Sequence, residues 1–223
     1  GRIGAPFLFG CALLLLALFP NSAFSQRPDI RFERLTSDNG LSQNTVHSIL
    51  QDGKGFMWFG TRDGLNRYDG YRFVVYAYNS EDAGSLPAST ITALYADQDG
   101  MIWVGTEEGG LYRFDSSTET FTPFRHDPDN SASLSSDGIT DIFEDREHVL
   151  WIGTKRGLNA LDRLTGRITR YVAGEDDTHL QSDGILKIYQ DRAGTLWFGA
   201  NGGLHVIDPV TGRITHYPVG PGE

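Results

Sequence analysis

Aspartate recurs along this chain at places that could do chemistry. Asp52, Asp97, Asp145 and Asp191 each stand six residues ahead of a tryptophan, and Asp69, Asp115, Asp162 and Asp208 follow at a second fixed place. Carboxylates held in pairs serve as general acid and base, and in larger groups they bind metal ions. Recurrence argues for another role, because a catalytic pair is needed once and a scaffold residue is needed in every copy of the scaffold. An aspartate that begins a tight turn accepts hydrogen bonds from the backbone N–H groups after it, and the series from Asp52 reads as turn-building. Asp97-Gln98-Asp99-Gly100 is like a fragment of a calcium loop, without the further ligands or the closing glutamate. His47, His126, His148, His179, His205 and His216 have no metal-ligand spacing. No catalytic residue, metal or cofactor is expected.

Recognition is expected where the repeat does not dictate the residue. Between the second and third strand of each copy the chain carries Arg62-Asp63, Glu107-Glu108, Lys155-Arg156 and Asn201 in turn. Mixed charge and amide groups suit a hydroxyl-rich or charged small ligand, and these seven residues form the candidate binding face.

The elements that hold these residues are read from the repeat. The tryptophans Trp58, Trp103, Trp151 and Trp197 lie 45 to 48 residues apart, with Gly60, Gly105, Gly153 and Gly199 two places on and Leu65, Leu111, Leu158 and Leu204 after that. Such a period marks an array. In the first copy the apolar runs and turn residues give strands over Thr45 to Gln51, Phe56 to Thr61, Leu65 to Tyr68 and Arg72 to Tyr76. The second strand is a nearly continuous apolar run, so both its faces should be covered. A four-stranded antiparallel unit of this length, stacked on both sides, is a β-propeller blade. The expected fold is all-β: an open arc of four blades over 41–76, 86–124, 134–171 and 181–217, within an exported region of residues 26–223. Ile30 to Leu35 repeats the outer-strand pattern of Tyr71 to Tyr76 and is expected to be a leading outer strand of a blade otherwise absent. The arc then leaves two apolar blade faces open. Gly55, Gly100 and Gly194 share a turn place that His148 takes in the third copy, so positive φ is expected at His148.

Residues 1–25 hold an apolar run from Phe7 to Phe19 behind Arg2, with small residues before Gln26, the pattern of a cleaved signal peptide. The only cysteine, Cys11, falls inside it, leaving no disulfide beyond. With 19 basic and 29 acidic residues the net charge is −10, which disfavours nucleic acid and anionic lipid as partners.

Leu41-Ser42-Gln43-Asn44-Thr45-Val46, Gln51-Asp52, Trp58-Phe59-Gly60-Thr61, Gly64-Leu65 and Tyr68-Asp69-Gly70 resemble the two-component regulator propeller repeat. The resemblance runs from Ile30 to Tyr217. It implies the periplasmic sensor of a membrane-anchored, dimeric receptor, with further blades and downstream domains in the same polypeptide. It also implies a histidine kinase or diguanylate cyclase output and a small-molecule ligand such as an oligosaccharide. The alternative is a secreted carbohydrate-active or scaffold propeller without a signalling output. Asp162 to Gly166 and Asp208 to Gly212 also resemble a turn of quinoprotein dehydrogenases, but there Trp follows the turn, where this chain has Tyr171 and Tyr217. The turn from Asp52 to Trp58 is similar to the sialidase Asp-box, itself a structural element.

Overall fold

The computed structural model describes residues 32–79, 81, 85–86, 90–174, 179–208 and 210–219. The chain divides into two units, Gly1–Arg34 and Leu35–Glu223. The expected signal peptide lies outside the described residues, as do Ile30 and Arg31, and residues 32–35 carry no strand.

The second unit holds sixteen strands in four antiparallel sheets, each a meander in chain order. The first blade is β1 (Val46–Gln51), β2 (Met57–Thr61), β3 (Gly64–Tyr68) and β4 (Phe73–Tyr76), within a residue or so of the sequence reading. The second is β5 (Ile91–Ala96), β6 (Ile102–Thr106), β7 (Leu111–Asp115) and β8 (Thr120–Phe124). The third is β9 (Ile139–Glu144), β10 (Val149–Thr154), β11 (Gly157–Asp162) and β12 (Ile168–Tyr171). The fourth is β13 (Ile185–Gln190), β14 (Leu196–Ala200), β15 (Gly203–Ile207) and β16 (Ile214–Pro218). The first strands, β1, β5, β9 and β13, neighbour one another in sequence along the inner edge. Each carries a bulge, with one residue left out of register after Val46, Ile91, Ile139 and Ile185.

The first three tryptophans pack onto the blade that follows. Trp58 lies with Leu86, Ile91, Ile102 and Val104; Trp103 with Leu134, Ile139 and Leu150; Trp151 with Leu180, Ile185 and Leu196. The glycine two places on permits this approach. A Cβ on Gly60, Gly105 or Gly153 would come within 2.6, 2.6 or 2.8 Å of the Cγ2 of Ile91, Ile139 or Ile185. Around Gly199 a Cβ would meet nothing within 4 Å, as none of the described residues packs against that face of the fourth blade.

The expectation that the second strand is covered on both faces holds for the middle blades. β6 and β10 are buried almost throughout, whereas burial alternates along β14 and the start of β2. Ile49 is 59% exposed where its counterparts Ile142 and Ile188 are buried, and at the other end Tyr189 and Tyr217 are 59% and 51% exposed. Among the described residues β13–β16 share no core cluster with β1–β4, so the arc is open.

The aspartates before the tryptophans do the structural work expected of them. Asp52 Oδ1 accepts from the N–H groups of Lys54 (2.9 Å) and Phe56 (3.0 Å). Its Oδ2 accepts from the Trp58 indole at 2.8 Å, and the same bond recurs at Asp97 (2.8 Å), Asp145 (2.6 Å) and Asp191 (2.9 Å). One carboxylate thus closes the turn and fixes the ring that the next blade buries. The second series caps the outer turn: Asp69 accepts from Arg72 and Tyr71 N–H, and Asp162 from the Thr165 side chain and from Thr165 and Leu164 N–H, which holds both carboxyls below the usual carboxylate range.

His148 has φ 64°, beside 90°, 80° and 93° at Gly55, Gly100 and Gly194, as expected. A β-branched side chain tolerates this region worst, so His148→Val is expected to lower stability by about 1–2 kcal/mol. His148→Gly loses the same 3.4 Å contact with Glu144 but none of the backbone fit. Urea unfolding should rank Gly above Val, and equal midpoints would remove the backbone argument.

Candidate functional site

The turns between second and third strand form one rim. The threonine ending the second strand holds each of the first three: Thr61, Thr106 and Thr154 hydroxyls donate to Gly64, Gly110 and Gly157 carbonyls at 3.1, 2.7 and 2.9 Å. Ala200 takes this place in the fourth blade, and the Ser182 hydroxyl donates instead to the Asn201 carbonyl. Three of the turns are tied to the loop entering their own blade, Glu107 N–H to Thr90 O (3.1 Å), Lys155 N–H to Gly138 O (2.9 Å) and Asn201 N–H to Gly184 O (3.1 Å). The first three are tied to the next blade's loop, through the Thr90 hydroxyl to Arg62 O (3.4 Å), Gly110 N–H to Asp137 O (3.0 Å) and Gly157 N–H to Asp183 O (2.7 Å).

All seven candidate residues, Arg62, Asp63, Glu107, Glu108, Lys155, Arg156 and Asn201, are exposed on this rim. Glu107 and Lys155 meet across the junction at 3.7 Å, each about half exposed, a pair worth at most about 1 kcal/mol. No ion pair or side-chain hydrogen bond joins the other five to one another among the described residues. The rim is therefore a row of solvated charges, free to turn toward a ligand.

Sequence reading placed the inner strand but missed the contacts it makes between blades. Asp141 accepts from Lys187 Nζ at 2.6 Å and from Ile188 N–H at 2.7 Å, joining the third and fourth blades. Ser48 does the same for Leu94 N–H at 3.0 Å. The signal was present: Ser48, Ala93, Asp141 and Lys187 occupy one place in the four copies and differ in every one. Lys187, with its side chain 77% exposed, adds a cation at the inner edge.

His205 is buried, with neither ring nitrogen partnered, between Phe198 at 5.2 Å and His216 at 4.5 Å. Its counterparts Asn66 and Asn159 accept from the N–H of Ser42 and Ser135 at 2.9 Å. Burial, and then the charge of His216, push the His205 pKa down from 6.5 to about 4. As pH falls from 6.5 toward about 4 the unfolded chain takes up a proton that the folded chain refuses, so stability is lost across that window. The loss runs up to about 1.4 kcal/mol per pH unit. His205→Asn is expected to remove it, as unfolding midpoints at pH 7 and pH 5 would show; an unchanged difference would assign the acid sensitivity elsewhere.

Residues 40–63, 85–108, 133–156 and 179–202 match the family described as two component regulator propeller, once in each blade. The four blades are two-component regulator propeller repeats. The chain is similar to the extracellular domain assigned to a hybrid two component system, BT3049, of B. thetaiotaomicron: 31% identical, TM-score 0.77, covering 85% of this chain and 26% of that one. It is also 40% identical over 75 residues to Histidine kinase P4 of Formosa agariphila, covering 34% of this chain and 6% of the kinase. Virginiamycin B lyase of Staphylococcus aureus shares the fold alone, at 15% identity and TM-score 0.57 over 78% of this chain and 55% of the lyase. These propeller repeats thus span a small part of their relatives' length. Among the described residues no helix is long and apolar enough to cross a membrane.

Proposed function

We propose that this chain is the ligand-sensing part of an exported signalling receptor, working on the periplasmic side of the inner membrane. The observation that carries the reading is the likeness, across 85% of this chain, to an extracellular domain of a two-component system. The parent receptor is membrane-anchored and dimeric, with a histidine kinase or diguanylate cyclase as its output, and the propeller itself performs no catalysis. The ligand is a small molecule such as an oligosaccharide, held on the rim of Arg62, Glu107, Lys155 and Asn201, where carboxylate, amine and amide groups can meet several hydroxyls. Binding moves the rim and, through the junctions, the domains that follow.

Titrating the chain with an oligosaccharide panel while following backbone amide shifts tests this. Saturable shifts centred on Glu107 and Lys155, weakened at least tenfold by Glu107→Ala with Lys155→Ala, are expected. Shifts confined to the outer strands β4, β8, β12 and β16 would sink the site. Turnover of a glycan, abolished by changing one aspartate, would favour a secreted carbohydrate-active propeller.

A further inference from the structure

The end of the blades opposite the rim holds a groove that the preceding junction fills. Between the first and second blades Arg67 lays its guanidinium over Phe56, Trp58 and Tyr76, at 5.2, 5.8 and 5.9 Å from the ring centroids. Glu119 of the second blade holds it there, 3.6 Å from Arg67, and also accepts from the Tyr76 hydroxyl at 2.8 Å. A cation over aromatic faces beside a carboxylate is a favourable arrangement where water is partly excluded.

One junction on, the same places carry other residues. Arg113 stands where Arg67 does, and Trp103 and Phe124 stand where Trp58 and Tyr76 do, their rings 5.4 Å apart. Phe124 has no hydroxyl, and Gly166 replaces Glu119 in the turn that closes the outer hairpin. With no carboxylate to draw it in, Arg113 is exposed, and it makes no ion pair or hydrogen bond among the described residues. What remains is a groove of about 680 Å³ floored by Met101, Trp103, Phe124 and Leu161, a size suited to a small molecule. Glu147 and Asp162 stand around it, against the one free cation among its lining residues, Arg113; Asp99 is already paired with Arg163 at 2.9 Å.

We propose that this groove binds a small molecule bearing a guanidinium or primary ammonium group, seated over the partly exposed Phe124 and Met101 at the edge of the buried Trp103, as Arg67 is seated over Tyr76 and Phe56 beside Trp58. Glu147 and Asp162 supply the charge that Glu119 supplies at the preceding junction, and the net charge of −10 favours the approach of a cation. The site is separate from the loop rim, at the other end of the strands.

Titration of the chain with L-argininamide, followed at the Trp103 indole N–H by NMR, tests the proposal, with L-citrullinamide as the uncharged isostere, both N-acetylated so that the guanidinium is the only charge that differs. Saturable shifts at Trp103, at least tenfold weaker binding of L-citrullinamide, and weaker binding by Glu147→Gln are expected. Gly166→Glu should close the groove by drawing Arg113 across Trp103. Gly166 has φ 72° against 55° at Glu119, and a Cβ there meets nothing within 4 Å, so the substitution carries some backbone strain and no clash. Binding should then fall at least tenfold while the unfolding midpoint drops only slightly; if the chain no longer folds, Glu147→Gln decides in its place. No saturable shift at Trp103, equal binding of L-citrullinamide, or full binding by both variants would overturn the proposal. Argininamide shifts confined to the Glu107 and Lys155 rim would overturn it too while leaving the loop-face reading intact.

Discussion

Arg163→Met is expected to lower the unfolding free energy by about 3–5 kcal/mol. Arg163 leaves the third blade's outer turn and reaches back to the second, donating to Asp97 at 2.7 Å and Asp99 at 2.9 Å, while its other terminal nitrogen meets Glu144 at 2.8 Å. Its side chain is 16% exposed, and those of Asp97 and Glu144 are 1% exposed each. Burial opposes the charge of the guanidinium, and Asp97 and Glu144 more than offset that, so its pKa is raised. Removing it strands two buried carboxylates, one of which also anchors Trp103. Arg163→Lys keeps the charge without the fork and should fall between. The test is urea unfolding at neutral pH; a loss under about 1 kcal/mol would mean that water already reaches both carboxylates.

Trp151→Ala should be nearly as severe, at about 3–5 kcal/mol, because a fully packed indole leaves a cavity that its neighbours cannot close. Trp151 is 2% exposed and lies against Leu180, Ile185 and Leu196 of the fourth blade. Trp197 keeps the same bond to its aspartate and the same ring contact, 5.9 Å from Tyr217, yet is only half-buried because none of the described blades covers it. Trp197→Ala should therefore cost less than half as much by calorimetry or urea unfolding. Equal losses would place the stabilisation inside each blade and not at the junctions.

That contrast shows what the sequence could and could not tell. Strand limits, turn aspartates and positive φ at His148 are local, set by residues within a few places of one another, and they recur, so the repeat displays them four times over. The bond from each turn aspartate to its tryptophan was six residues away and still unread, because nothing in the spacing says which way an indole turns. Arg163 to Asp97 is beyond such reading altogether: the partners lie in different blades and the pair occurs once. The candidate rim was legible as seven exposed residues, but which of them meet depends on how far neighbouring blades fan apart, and only Glu107 and Lys155 do. The expected leading strand, Ile30 to Leu35, lies partly outside the described residues, and residues 32–35 carry no strand.

Each core cluster lies at one junction, and this gives the molecule the statistics of a one-dimensional chain of links. A blade with two neighbours is clamped by two interface energies and an end blade by one, so opening begins at the ends. Amide hydrogens in β1–β4 and β13–β16 should exchange by local opening well before those in β5–β12, which exchange only when a neighbour has already gone. A small molecule wedged at the second junction would tighten the two most protected blades and leave the others at their own pace, so occupancy there would be written as a pattern of exchange rates and not as a change of shape.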